Sequence, residues 1–447
     1  MKTQLLTAAV ALTLLAGCNT GSRSNKSKQY FGPGSTGASP TAATGGGTTG
    51  GGTTGGGTTT GGGGGTVGQF AAGPALNAPR YRHTATVMND GRVLVTGGTD
   101  GQGIMTESEV YDPQAGAWDM VANLAPTQNE AFMIDPTGQF ATARQLHQAV
   151  SLADGRVLVC GGFGAERLDA QGQPVPEMLQ TAYVFNPQTN AFAAIAPMSE
   201  NRGWFTMTLT SNANVMAAGG LNQDLTASLT TADVYDPLQD TWTTVAANTE
   251  HTWGNAVLAG NTAMIVGGAN VAMGQQGLAL TGFPSPRVQG LDAQAGTFIA
   301  APDNPDGERF NMGAEVDSIG NAFFAGGEGL DAAGSAVEIK DTTFFFDAGN
   351  QAWTSGPTLN TARTSPAVAE IGTTSDMLIT GGIDATGVPT PECEVYGVLN
   401  NAMLGTVSMS TERAEHRAVT LQNNSVMVIG GQNANGDPLD STEIHTR

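Results

Sequence analysis

Seven times along this 447-residue chain a short apolar run ends in a glycine doublet, and a recurrence at that period is the mark of a repeat architecture. The doublets are Gly97-Gly98, Gly161-Gly162, Gly219-Gly220, Gly267-Gly268, Gly326-Gly327, Gly381-Gly382 and Gly430-Gly431. The runs before them include Val93-Leu94-Val95, Val157-Leu158-Val159, Val215-Met216-Ala217, Met264-Ile265-Val266, Ala322-Phe323-Phe324, Met377-Leu378-Ile379 and Val426-Met427-Val428-Ile429. Runs of this length with no polar alternation read as strands buried on both faces.

Each of the first six doublets is followed by two bulky residues seven positions apart: Tyr111 and Trp118, Phe185 and Phe192, Tyr235 and Trp242, Leu291 and Phe298, Phe346 and Trp353, Tyr396 and Met403. Turn signals such as Asp112-Pro113, Asn186-Pro187 and Asp236-Pro237 lie between them, so each pair predicts two strands joined by a tight hairpin. A further short strand precedes each doublet, often linked to it by Asp-Gly, as at Asp90-Gly91 and Asp154-Gly155. Each unit of about 54 residues therefore holds four strands.

On these residues the chain resembles kelch repeats, each of which builds one four-stranded blade of a β-propeller. The resemblance implies an all-β, seven-bladed kelch-type propeller over residues 67–447, with four antiparallel strands per blade. Two units depart from the pattern: Leu291-Asp292 replaces Tyr-Asp in the fourth, and Met403 replaces Trp in the sixth, so these blades are expected to be less regular. After the seventh doublet only one strand, Ser441 to Thr446, remains. The segment Gln69 to Leu76 stands before Arg80 as the later fourth strands stand before their following units, and puts Phe70 in the place of Trp118. The N-terminal strand is thus expected to complete the last blade and to remove a free sheet edge.

Residues 1–17 read as a signal peptide: a positive start at Met1-Lys2, then an apolar stretch from Leu5 to Leu15 too short to span a bilayer. Leu15-Ala16-Gly17-Cys18 resembles the lipobox of bacterial lipoproteins, which implies lipidation of Cys18 and anchoring to a membrane through the acyl chains. Under the enteric sorting pattern Asn19, where Asp would retain the protein in the inner membrane, implies outer-membrane delivery to the periplasmic or cell-surface side. Residues 18–66 then form a Gly/Thr/Ser tether that cannot bury enough surface to fold. Its root-mean-square reach is about 35 to 40 Å.

Charge narrows the partners. The chain carries 39 acidic and 18 basic residues, a net charge of -21, and a single lysine, Lys340, after the tether, so nucleic acid is not an expected partner. With Cys18 lipidated, only Cys160 and Cys393 remain, in different units, and they read as buried structural thiols. His83, His147 and His416 each stand three residues after an arginine, in units 1, 2 and 7, which a ring makes neighbours. Equivalent positions on packed sheets stand about 10 Å apart, too far to share a metal, so these histidines read as packing residues and no metal or other cofactor is expected. Asp100, Asn222, Asn270, Asp384 and Asn433 read as turn residues, and Asp303-Asn304-Pro305-Asp306-Gly307-Glu308 as a surface turn without the EF-hand spacing.

Some kelch propellers are enzymes. Galactose-oxidase-like members hold copper through tyrosines, histidines and a Tyr–Cys cross-link, and no cysteine here lies in a loop beside spare Tyr and His. Sialic-acid epimerases of the class remain open. Arg80, Arg144, Arg202, Arg309, Arg363 and Arg413 recur at one place, which argues for a structural hydrogen-bonding role. Two residues further on the units diverge, to Arg82, Leu146, Trp204, Trp253, Asn311, Ser365 and Glu415. In peptide-binding kelch proteins this register lies at the propeller mouth. The resemblance therefore makes Arg82, Trp204, Trp253, Asn311 and Glu415 candidate ligand-binding residues, while gap filling between blades remains an equal reading of the two tryptophans. The long connections 124–143, 163–180 and 269–287 are expected to shape the same mouth.

These features lead to the expectation of a monomeric, membrane-anchored envelope or cell-surface module that binds or scaffolds a protein or glycan ligand. The alternative is a glycan-modifying enzyme, an epimerase or lyase, drawing acid–base groups from Glu415, His416 or Arg82, its catalytic residues otherwise unknown.

Overall fold

A computed structural model describes residues 67–121, 143–168, 174–247, 249–274, 277–284, 287–372 and 375–447. The signal peptide, lipobox and tether (1–66) and most of the 124–143 connection lie outside the described residues. Among the described residues there is no helix, and the principal sheets are seven antiparallel sheets of four strands. The chain is a seven-bladed propeller. In the first blade the strands run Thr84–Val87, Val93–Thr96, Ser108–Asp112 and Ala117–Val121 from the centre outward. The second strands, which precede the doublets, are buried in every blade because each is covered on both faces by neighbouring blades.

The bulky pairs face one another across the outer two strands. Tyr111 is opposite Trp118, Phe185 opposite Phe192, Tyr235 opposite Trp242, Leu291 opposite Phe298, Phe346 opposite Trp353 and Tyr396 opposite Met403. The tryptophans also fasten each blade to the one before: Trp118, Trp242 and Trp353 donate their indole N–H to the carbonyls of Pro74, Ala196 and Pro302. Of the two blades expected to be irregular, the sixth has a bulge between Val395 and Tyr396, whereas the fourth pairs Gln289–Asp292 with Thr297–Ala300 without a register shift. Leu291 fills the tyrosine's apolar place well enough to keep the ladder intact.

The glycine doublets are where one blade locks to the next. Both glycines of Gly97-Gly98 have positive φ, 59° and 95°, which side chains with a Cβ rarely adopt. A Cβ on Gly97 would meet the carbonyl oxygen of Arg144 in the next blade, and one on Gly98 would lie 2.6 Å from that of Tyr81. The close approach has a purpose: the Gly98 N–H donates to the Arg144 carbonyl at 2.8 Å. The same bond recurs from Gly162 to Arg202, Gly220 to His251, Gly268 to Arg309, Gly327 to Arg363, Gly382 to Arg413 and, across the closure, Gly431 to Arg80, at 2.6 to 3.1 Å. All seven interfaces carry it.

The side chains of those same residues hold the corner within each blade. Arg80 donates to the carbonyls of Gly97 and Glu107 and pairs with Glu109 at 2.7 Å, with both side chains 0 % exposed. Arg202–Asp233, Arg363–Glu394 and Arg413–Glu443 repeat the arrangement. The carboxylates also accept N–H groups from the incoming chain, as Glu109 does from Asn77 and Ala78. In the second blade Tyr183 takes the carboxylate's place, with the Arg144 guanidinium 5.0 Å from its ring centre. In the fourth, His251 replaces the arginine and binds the Gly267 carbonyl at 2.7 Å. In the fifth, Phe344 holds the acidic position and Arg309 turns to Asp306 and Thr342.

Closure follows the expected route. Gln69–Ala72 pairs antiparallel with Thr442–Thr446, placing Phe70 opposite His445 with ring centres 5.2 Å apart. Gly73 and Leu76 then donate to the carbonyls of Thr442 and Asp440.

Two of the long connections are not loops. Phe163–Leu168 pairs with Pro174–Met178, and Asn270–Gly274 with Gly277–Gly282, as two-stranded hairpins. Glu328–Leu330 with Val337–Ile339 makes a third in the fifth blade. Asn270 accordingly begins a strand and is not a turn residue: the connection after its doublet is long enough to pair with itself. Asp100, Asn222, Asp384 and Asn433 do cap turns, each accepting backbone N–H groups two to five residues on.

Two predictions follow from this framework. Deleting residues 67–76 exposes the edge of Thr442–Thr446, and is expected to lower the thermal midpoint and promote self-association, as read by thermal unfolding and light scattering. An unchanged midpoint with a monomeric mass would refute this role. Arg202→Ala leaves Asp233 buried without its cation and is expected to cost about 3 to 5 kcal/mol in chemical denaturation, more than the apolar pair Arg202→Met with Asp233→Leu.

Candidate functional site

The divergent residues two positions after each blade arginine share one backbone state. Arg82, Leu146, Trp204, Trp253, Asn311, Ser365 and Glu415 all have left-handed φ, between 51° and 60°. None is glycine, and this conformation costs roughly 1 to 2 kcal/mol per L-residue. Five of the seven steps between neighbouring positions carry a backbone hydrogen bond that helps to hold them. Arg82 N–H donates to the Glu415 carbonyl (3.2 Å), Leu146 to Arg82 (3.0 Å), Trp253 to Trp204 (3.2 Å), Asn311 to Trp253 (3.1 Å) and Ser365 to Asn311 (2.8 Å). Six kinds of side chain, with tryptophan twice, therefore stand at the seven equivalent places around the axis, at the end of the propeller from which the three extra hairpins rise.

The ring has two sectors. From the second to the fourth blade it is apolar: Trp204 is 7 % exposed, edge-on to Phe163 at 4.6 Å and to Trp253 at 5.7 Å, while Trp253 stacks on Phe310 at 5.8 Å. Leu146, Met178, Val271, Leu280 and Phe283 complete this cluster, so the first two extra hairpins roof the aromatic sector. Trp204 is thus largely a packing residue, and Trp253 is the more open of the two. The indole N–H groups of both have no acceptor among the described residues.

The other sector is polar. Arg82 Nε donates to Glu415 Oε2 at 2.9 Å, and Gln432 Nε2 donates to the same oxygen at 3.1 Å. The Arg82 guanidinium also sits 5.3 Å from the Tyr81 ring centre. Asn311 Nδ2 and the Thr364 hydroxyl converge on Glu328 Oε1 at 3.1 and 2.8 Å. Burial pushes the Glu328 carboxyl upward, opposed by these two bonds. The structure therefore brings Arg82 and Glu415 together and links Trp204 to Trp253, while Asn311 stands between the sectors. Glu328 and Gln432 were missed by the sequence reading; each directly follows a doublet, and that offset was the available signal.

The three histidines do not share a point. Each ring lies against the first doublet glycine of the preceding blade: His83 on Gly430, His147 on Gly97 and His416 on Gly381. Burial lowers all three well below the usual imidazole value, with nearby arginines adding to the effect. His416 is 2 % exposed inside its interface, so of the three groups considered for acid–base chemistry only Arg82 and Glu415 stand in the mouth ring. Among the described residues no three His, Cys, Asp or Glu side chains are placed to hold a metal. Cys160 and Cys393 are buried strand residues whose thiols burial pushes up to about 12, a poor fit to a copper site needing a loop cysteine beside tyrosine. In the 303–308 turn, Asp303 and Glu308 engage Arg287, and Asp306 engages Arg309.

At the opposite, hairpin-turn end the first strands border a cavity of about 340 Å³ lined by Val87, Glu315, Glu370 and Thr420. Burial, reinforced by the Glu370 carboxylate, raises Glu315 to about 7. A carboxyl raised in the folded state binds protons the unfolded chain has released, so it makes stability fall as pH rises from about 4.5 to about 7. Glu315→Gln is expected to flatten that part of the profile and raise the thermal midpoint at pH 8, where the native carboxylate is charged; an unchanged profile would remove Glu315 as the cause.

Residues 79–125 match the family model described as Kelch motif. A 128-residue stretch is 28 % identical to Kelch-like protein 26 of Danio rerio, covering 28 % of this chain; the chain spans only 20 % of that relative's length. Among solved structures, a fungal alcohol oxidase of the AA5 family in complex with copper superposes with a TM-score of 0.58 at 15 % identity, covering 85 % of this chain and 76 % of the other. YjhT superposes at 0.51, also at 15 % identity, covering 75 % of this chain and 99 % of the other. At that identity the two structures speak to fold alone. The Kelch motif match, the kelch-like relative and the seven four-stranded blades together support a kelch-repeat propeller.

Proposed function

We propose that this chain is a binding or scaffold module of the bacterial envelope, tethered to a membrane through a lipid on Cys18, that recognises a protein or glycan ligand at the propeller mouth. The observation that carries the reading is the mouth ring itself: a repeated, strained backbone position that presents six kinds of side chain from seven blades. A feature common to all blades serves architecture. Divergent residues on one costly backbone state are the place for selectivity. The partly open ring of Trp253, beside the amide of Asn311 and the Arg82–Glu415 pair, suits a ligand with an apolar face and polar edges, as a sugar or an aromatic peptide side chain has. The lipid anchor rests on Leu15-Ala16-Gly17-Cys18, and the tether after it would hold the propeller clear of the membrane. Outer-membrane placement rests on Asn19.

The test is a binding screen of the full chain on glycan and peptide arrays, repeated with Trp253→Ala and Asn311→Ala variants of native thermal midpoint. The expected result is a ligand whose affinity falls about tenfold or more in these variants. Turnover of any ligand so found would shift the reading to the glycan-modifying alternative, whereas binding indifferent to both substitutions would move recognition off the mouth. Cys18→Ser is expected to release the protein from the membrane fraction without changing ligand affinity.

A further inference from the structure

The interface between the seventh and first blades lacks something its neighbours have. His147 packs against Gly97, and its Nε2 pairs with the hydroxyl of Thr84, whose strand partner Thr96 directly precedes that glycine. His416 packs against Gly381, and its Nε2 pairs with the hydroxyl of Thr380, which directly precedes that glycine. His83 packs against Gly430 in the same manner, but the corresponding positions are Ile429 and its strand partner Arg417. Neither offers an oxygen. His83 is 0 % exposed and both of its ring nitrogens are without a hydrogen-bond partner.

Arg417 is incomplete in the complementary sense. A guanidinium has five N–H donors and no acceptor, so it cannot satisfy an imidazole N–H. Its hydrogen bond is to the His416 carbonyl at 3.1 Å, and it forms no ion pair among the described residues. Glu415, the nearest carboxylate to act on it, is held by Arg82 and Gln432. Arg417 adds to the lowering of His83, His147 and His416, and its strand partner Ile429 directly precedes the Gly430 on which His83 packs. A partly exposed cation without an anion stands beside a buried imidazole whose N–H has no acceptor, and one negatively charged acceptor serves both.

We propose that this interface binds a small monovalent anion, a halide or a carboxylate group, between Arg417 and His83 beneath the polar sector of the mouth. The site is independent of whatever ligand the mouth takes. Neutral His83 donates its ring N–H to the anion, and Arg417 supplies the countercharge. His147 and His416 stay with their threonine hydroxyls, which is why the site lies at this interface and not at the other two.

The full chain, isotope-labelled at histidine and equilibrated in sodium sulfate, would be titrated with sodium acetate and, separately, sodium chloride at constant ionic strength. Its histidine ring-nitrogen resonances would be followed by NMR, with His83 identified by loss of its signal in His83→Gln. The expected result is a saturable shift of the His83 resonance with at least one of the two anions, accompanied by a rise in thermal midpoint. Both responses should be lost in Arg417→Met, which keeps the side-chain length and removes the charge. A His83 resonance indifferent to both anions, or drifting without saturation, overturns the site on the wild-type chain alone, whether or not the variant folds. An equal response in a folded Arg417→Met also overturns it.

Discussion

The hydrogen bond from the second glycine of each doublet to the carbonyl of the next blade's arginine is the contact on which the ring depends. It can form only where the chain turns through two consecutive positive φ values and where no Cβ stands between the blades, so it explains why glycine is needed twice at every repeat. The arginine then does two things from one position. Its carbonyl receives the preceding blade, and its guanidinium binds the carbonyls left free where the chain leaves one strand for the next. Geometry between blades and geometry within a blade are thereby fixed by the same residue. The fourth blade shows which function is the less dispensable: His251 keeps the backbone carbonyl bond at the interface and reproduces only part of the side-chain network.

The architecture was legible because it is periodic. Doublets, buried runs and Tyr/Trp pairs recur at constant offsets, and constant offsets survive substitution in single units, as the regular fourth blade shows with Leu291. The closing strand was legible for the same reason, from Phe70 standing in a tryptophan's place. The acidic partners of the arginines were harder to see. They occupy one offset, two residues before the bulky third-strand residue, but the position holds Glu109, Tyr183, Asp233, Gln289, Phe344, Glu394 and Glu443, and only four of these seven are acidic. Features outside the repeat were least legible: the extra hairpins at 163–178 and 270–282 obey no shared spacing, and Asn270 has the composition of a turn residue while starting a strand.

The candidate site was legible as a register and not as a surface. Divergence at Arg82, Leu146, Trp204, Trp253, Asn311, Ser365 and Glu415 marked the mouth correctly in space, yet nothing in those residue types announces a left-handed backbone, because Leu, Trp and Arg are poor formers of it. Backbone bonds between blades help to impose the state. Nor does the sequence say which tryptophan is open: that is decided by Phe163 and the hairpins, which bury Trp204 more than Trp253.

A repeat fold solves the same local problem seven times, and an exception to a repeated solution is informative because the surrounding geometry is held constant. Two classes of exception occur here. At the mouth the backbone is shared and the side chains differ, which changes what the ring presents without disturbing the blades. Between the blades the histidine is shared by three interfaces, and what differs is its partner: a threonine hydroxyl twice, a cation and an isoleucine once. The first class costs nothing that the backbone bonds between blades do not already meet. The second leaves an unpartnered imidazole beside an unpaired cation in a chain whose net charge is -21, so the unmatched positive charge is not a reflection of overall composition. It is local, and it lies beneath Arg82 and Glu415, where a negative group entering along the axis would meet it.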